Sequence, residues 1–140
     1  MTGALICILG DQLTHGRGAL ADANPEQDSI VMAEVPAEAL YVKHSQHKIA
    51  LIFSAMRHFR KELESSGFNV HYFEYSREGP KTLLDAVNRA LAVKPVDEVR
   101  YCQPGEYRLQ EEMQAWQLPV PLRMYPDDRF LCSTEDFQAW

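Results

Sequence analysis

The sequence predicts an α/β fold: a doubly wound, mainly parallel five-stranded sheet with helices on both faces. Five short strand-like runs recur, at residues 4–9, 29–34, 69–75, 98–103 and 121–125, and amphipathic stretches alternate with the later ones. A run that is apolar throughout reads as a strand buried on both faces, as parallel strands are. Strands alternating with helices imply right-handed crossovers, so the expected architecture is Rossmann-like.

The first run, Ala4-Leu5-Ile6-Cys7-Ile8-Leu9, passes directly into the polar Gly10-Asp11-Gln12. Residues 14–27 carry Gly16, Gly18, Asn24 and Pro25 and read as loop, with one helical turn around Ala19-Leu20-Ala21. Between the second and third strands Ile49, Ile52, Phe53, Met56 and Leu63 recur at helical spacing. Gly67 ends that helix where a left-handed cap is commonly needed. A second helix over residues 81–92 follows Gly79-Pro80 and presents Leu83, Leu84, Val87 and Leu91 on one face. A third spans residues 107–116, and Ser133 with Asp136 three residues later marks one more helix start near the end.

Composition narrows the function classes. At 140 residues the chain fits one domain, residues 1–140, and its 46% hydrophobic content suits a packed core rather than a disordered chain. No apolar stretch approaches the roughly 20 residues that span a bilayer. The N-terminus lacks the basic region of a signal peptide, so a cytoplasmic protein without membrane contact is expected. A net charge of -6 opposes direct binding of nucleic acid, which draws its affinity from Lys and Arg at phosphates. Cys7, Cys102 and Cys132 show no C-x-x-C spacing, which disfavours a disulfide framework or a zinc or iron-sulfur site in this chain. Cys7 and Cys102 are read as small core residues.

Open α/β sheets bind ligands at the carboxyl ends of their strands, which is where Asp11 and Gln12 fall. The segment Gly10 to Gly16 is neither a dinucleotide-binding glycine turn nor a Walker sequence, and Asp11 would repel phosphate. The acids and lysine of a phosphoacceptor domain are missing too, since the third strand ends Phe73-Glu74-Tyr75 and the fifth Met124-Tyr125-Pro126. The second strand brings Glu34, and then Glu38 and Tyr41, to the same edge as Asp11. Carboxylates and Gln12 on one rim suit a neutral, donor-rich ligand such as a polyol chain or a uracil-like ring. Asp11 and Glu38 would equally serve as helix caps, and Ile52 is either core or pocket wall.

His44 and His47 stand beside Lys48 without a third metal ligand, which favours a solvated or hydrogen-bonded role. Arg57-His58 is assigned to the polar side of its helix or to a domain contact, and Gly105-Glu106-Tyr107-Arg108 is a further rim loop. No Ser/His/Asp or Cys/His set emerges, and no residue reads as a nucleophile or general base.

Five motifs taken together point further: Leu9-Gly10-Asp11-Gln12-Leu13, Glu34-Val35-Pro36-Ala37-Glu38-Ala39, the helix Lys48 to Phe59, Pro104-Gly105-Glu106-Tyr107-Arg108, and Phe130-Leu131-Cys132-Ser133. In this order they resemble the N-terminal domain of the bacterial photolyase-related proteins, the iron-sulfur branch of the cryptochrome/photolyase family. The resemblance covers essentially the whole chain, and the helix motif is long enough to be specific. It implies an α/β antenna domain that holds 6,7-dimethyl-8-ribityllumazine and passes excitation to FAD in a separate helical domain. By matching motifs, Asp11, Gln12 and Glu38 would contact the ring or ribityl chain. Ile52 would be an apolar wall, with Gly10, Tyr41, Lys48 and Glu106 as neighbours.

The family's FAD site, four iron-sulfur cysteines and DNA-binding surface lie in a C-terminal domain beyond these residues, so no lesion repair is expected from this chain alone. Its expected partners are the chromophore, the FAD-binding domain of the full-length protein and a second copy through an exposed domain face. The chain reads either as a fragment or truncated product of such a repair protein or as a free-standing module. Phe130, Leu131, Phe137 and Trp140 favour the former, because a severed face leaves an apolar patch. The alternative from another class is a nucleotide-binding or interaction module of the same architecture with no chromophore.

Overall fold

All five expected strands form, each somewhat shorter than its strand-like run. The computed structural model describes residues 2–140. Strands β1 (Ala4–Cys7), β2 (Ser29–Ala33), β3 (Asn69–Phe73), β4 (Glu98–Cys102) and β5 (Leu122–Tyr125) make one sheet in the order β3-β2-β1-β4-β5. Every pairing is parallel. β1 is central and wholly buried, whereas the edge strands β3 and β5 are half-exposed.

Five helices accompany the sheet: α1 (Pro36–Ala39), α2 (Gln46–Ser65), α3 (Leu83–Val93), α4 (Tyr107–Gln114) and α5 (Thr134–Ala139). α2 covers one face, and α3 and α4 cover the other. Because side chains alternate along a strand, β1 and its extension feed two cores. Leu5, Cys7 and Leu9 pack with Leu83, Val87 and Ala90 of α3 and Leu109 and Met113 of α4. Ile6 and Ile8 pack on the opposite face with Met56, Phe59 and Leu63 of α2 and with Ala19 and Leu20.

The helix ends follow the sequence. Ser45 caps α2 by accepting from the Lys48 N–H. At its other end Gly67, at φ 92°, lets the Phe68 N–H reach the Leu63 carbonyl and its own N–H reach that of Glu64. That double closure is a Schellman motif. Ser133 and Asp136 cap each other reciprocally at α5, whose residues are all solvent-facing. No described helix is long and apolar enough to cross a membrane.

The connection from β1 to β2 is a loop with one helical turn, as expected, a 3₁₀ turn at Gly18–Leu20. It holds no α-helix, so the alternative of Asp11 as a helix cap is corrected. The short α1 has no periodicity to mark it in the sequence, although Pro36 suits its first turn.

Glu34, just past β2, is corrected as well. It does not face the rim; its side chain is fully buried. Arg57 of α2 donates to both of its carboxylate oxygens at 2.6 and 2.9 Å, and the Tyr72 hydroxyl of β3 and the Tyr75 N–H also donate to them, at 2.7 and 2.9 Å. Burial alone would raise its pKa, but these donors outweigh it and hold the carboxyl below its ordinary value. Arg57, read as a polar-face or domain-contact residue, is therefore the counter-ion that fastens α2 to the sheet.

Two tests follow from this packing. Leu63, 1% exposed, should cost about 2–5 kcal/mol on truncation to Ala, whereas Leu51, 70% exposed on the same helix, should change stability by less than about 0.5 kcal/mol in urea unfolding. Arg57→Ala should cost about 2–3 kcal/mol; breaking a buried pair costs more, but Arg57 is itself half-exposed. A lowered carboxyl pKa stabilises the fold fully above its ordinary 4.5, and that share is lost as pH falls toward the native value. Acid unfolding followed by circular dichroism should therefore show a steeper loss below that value in the wild type than in Arg57→Ala.

Candidate ligand-binding site

The chain leaves β1 toward β2 on one side and reaches β4 on the other, so the strand order reverses between β1 and β4. Their carboxyl ends leave a crevice at such a switch point. Here it is a cavity of about 350 Å³, within the roughly 300–1,000 Å³ that encloses drug-sized ligands.

Its floor is Ile8, Leu9, Ala33 and Val35 from the strand ends, with Leu83 and Leu109 from the helices of one face. One wall is the first half of α2, with Ile49, Ile52, Phe53 and Met56. Gly10 lets this wall close in. A Cβ there would lie 3.1 Å from Met56 Sδ and 3.3 Å from Ile52 Cγ2, tighter than packing tolerates without a shift. The remaining contributions come from the loops after β1, β2 and β4.

Polar groups gather among these loops. Asp11, Glu38, Tyr41, His44, Lys48 and Glu106 all line the cavity. The Tyr41 hydroxyl donates to Glu106 Oε2 at 3.0 Å, which raises the phenol's pKa. Arg108, at the start of α4, lies 4.2 Å over the Tyr41 ring and binds three carboxylates: Glu106 at 2.8 Å, Glu112 at 3.1 Å and Glu38 at 3.3 Å. The loop after β2 is thereby linked to the loop after β4. Burial lifts the Glu38 carboxyl above its ordinary value against the opposing pull of Arg108, and Glu112 and Glu106 add to the rise. Lys48 Nζ lies 3.3 Å from His44 Nδ1.

Of the residues singled out from sequence, Gly10, Asp11, Glu38, Tyr41, Lys48, Ile52 and Glu106 line this cavity. Gln12 does not. It is buried beside the crevice, where its Nε2 donates to the carbonyls of Cys102 and Gln103 at 3.3 and 3.0 Å and ties the end of β1 to the end of β4. In the sequence Arg108 stands out only as part of a rim loop. Its link to Glu38, 70 positions away, has no local sequence signal. Phe53 and Met56 were legible as an apolar stripe but not as cavity wall.

The lining offers apolar surface, hydrogen-bond acceptors, one ammonium and one imidazole, but no serine, threonine or cysteine among the described residues. Among the described residues no group of three or more His, Cys, Asp or Glu is placed to hold a metal ion.

Comparison with known proteins adds to this geometry. The family model for deoxyribodipyrimidine photo-lyase-related proteins matches residues 6–140. The chain is also 40% identical over 141 residues to the (6-4) photolyase of Agrobacterium fabrum (strain C58 / ATCC 33970). That alignment takes in 97% of this chain but 27% of the relative, so the chain spans little more than a quarter of that protein's length. Matched across both its strands and its cavity loops, the chain belongs to the family of deoxyribodipyrimidine photo-lyase-related proteins.

Proposed function

We propose that the chain is the antenna-chromophore-binding part of a photolyase-related DNA repair protein or cryptochrome, and that its cavity holds 6,7-dimethyl-8-ribityllumazine without a covalent bond. The observation that carries this reading is the cavity itself: apolar on its floor and α2 wall, with acceptors gathered on its loops. A lumazine is a flat two-ring system bearing an imide and a hydroxylated ribityl chain. Ile52, Phe53 and Val35 offer surfaces for the ring faces, and Asp11, Glu38 and Glu106 offer acceptors for imide and hydroxyl protons. The residues present fit such a group.

When bound, the lumazine supplies light absorption and passes excitation to FAD. The chain's own contribution is to enclose the ring, exclude water from its faces and fix its orientation. FAD, the iron-sulfur cluster and the DNA-binding surface belong, in this reading, to a further domain of a longer protein. Lesion repair then needs that domain, and these residues alone perform none.

Titrating 6,7-dimethyl-8-ribityllumazine with the purified chain should give saturable fluorescence polarisation, while ATP should neither compete nor stabilise the fold. Stabilisation by ATP without lumazine binding would instead favour a nucleotide-binding module. Ile52→Trp should fill the cavity and weaken lumazine binding at least about ten-fold, because overpacking a binding wall removes the ligand's space while costing the fold little. Circular dichroism should match the wild type. An unfolded Ile52→Trp would make Ile52 a core residue and remove it from the site.

A further inference from the structure

We infer that the cavity selects ligands without a phosphate group, because the carboxylates of its lining outnumber its ammonium groups and Arg108, the arginine beside its mouth, already directs each of its three nitrogens at a carboxylate. This rests on the ligand reading above and deepens it: of ribityl-bearing rings, the uncharged alcohol is taken and its phosphate ester refused.

Asp11, Glu38 and Glu106 line the cavity, against the single ammonium of Lys48. Arg108 would be the natural phosphate receptor, since a guanidinium fork matches phosphate oxygens. Each of its three nitrogens is directed at a carboxylate: Nε at Glu106, Nη1 at Glu112 and Nη2 at Glu38. A phosphate arriving there would have to displace one of them and would then face that carboxylate unpaired. α4 begins at this mouth, and the residue at its N-cap position is Glu106, whose negative charge opposes a phosphate there. Hydroxyl and imide protons meet the opposite situation. They donate to the same carboxylates, and the interaction grows stronger as the site dries.

Binding of 6,7-dimethyl-8-ribityllumazine and of its ribityl phosphate ester, compared at low salt and mildly alkaline pH, tests this directly, since the two differ only in charge and in the phosphoryl group. The ester should bind at least about ten-fold more weakly, as like-charge juxtaposition at an interface predicts. Added salt should narrow the gap by screening. Glu38→Gln and Asp11→Asn should each narrow it too; Asp11 is exposed and Glu38 only half-buried, so neither change opens the core. Equal affinity for the two compounds at low salt overturns the inference while leaving the lumazine site standing. A gap that neither salt nor either variant moves also overturns it, because the exclusion is then one of size. If the parent lumazine itself fails to bind, the site reading falls and this inference falls with it.

Discussion

A carboxylate with no access to water must be paired where it lies, and Glu34 is the group on which this arrangement turns. It follows β2, so its pairing decides what covers the carboxyl edge of the sheet. Its partners are an arginine from α2, a hydroxyl from β3 and an N–H from the loop beyond β3. Three separate segments are fastened to one point. Replacing the pair by apolar groups could leave stability similar, since desolvating two charges offsets much of their attraction. What an apolar replacement would not supply is direction: the two nitrogens of Arg57 meet the two oxygens of Glu34 in one geometry, and that fixes where along its length α2 is held.

The position of that clamp explains the cavity. α2 has 20 residues, about 30 Å at 1.5 Å per residue. β2 has five, about 17 Å at 3.3 Å per residue. A helix returning the chain from the carboxyl end of β2 to the start of β3 is therefore longer than the sheet it crosses, and part of it overhangs. Phe59 and Leu63, beyond Arg57, pack into the core; Ile49, Ile52, Phe53 and Met56, before it, line the cavity, the last three also touching that core. One amphipathic stripe thus serves two purposes, divided near the residue that Glu34 holds. Gly10 completes the geometry by leaving room for Ile52 and Met56 beside the loop after β1.

The same division accounts for what could be read from the sequence. The strands and the two longer helices are legible because their patterns repeat over several residues, and the longest helix ends in a recognisable cap at Gly67. The rim was legible in outline because strand ends converge at a switch point whatever the residues there. The fates of individual acids were not. Glu34 and Glu38 are four positions apart at the same strand end, yet one is sealed inside and the other lines the cavity. What separates them is Arg57, a partner that only tertiary folding brings near. Gln12 shows the same limit: beside Asp11 in sequence, it turns inward to carbonyls of the β4 end, about 90 positions on.

Arg108 extends the argument from structure to recognition. Arg57 meets one carboxylate that is wholly buried, and the result is a tie; Arg108 meets three that are each partly solvated, and the result is a surface. Partial exposure lowers the energy of each of these contacts, since water and side-chain entropy offset most of a solvated ion pair. The acceptor capacity of Glu38 and Glu106 is moreover not exhausted by one guanidinium, each carboxylate having about four lone-pair sites. Buried and committed at Glu34, half-exposed and still able to accept at Glu38, the same carboxylate chemistry first builds the wall of the cavity and then sets what the cavity can hold.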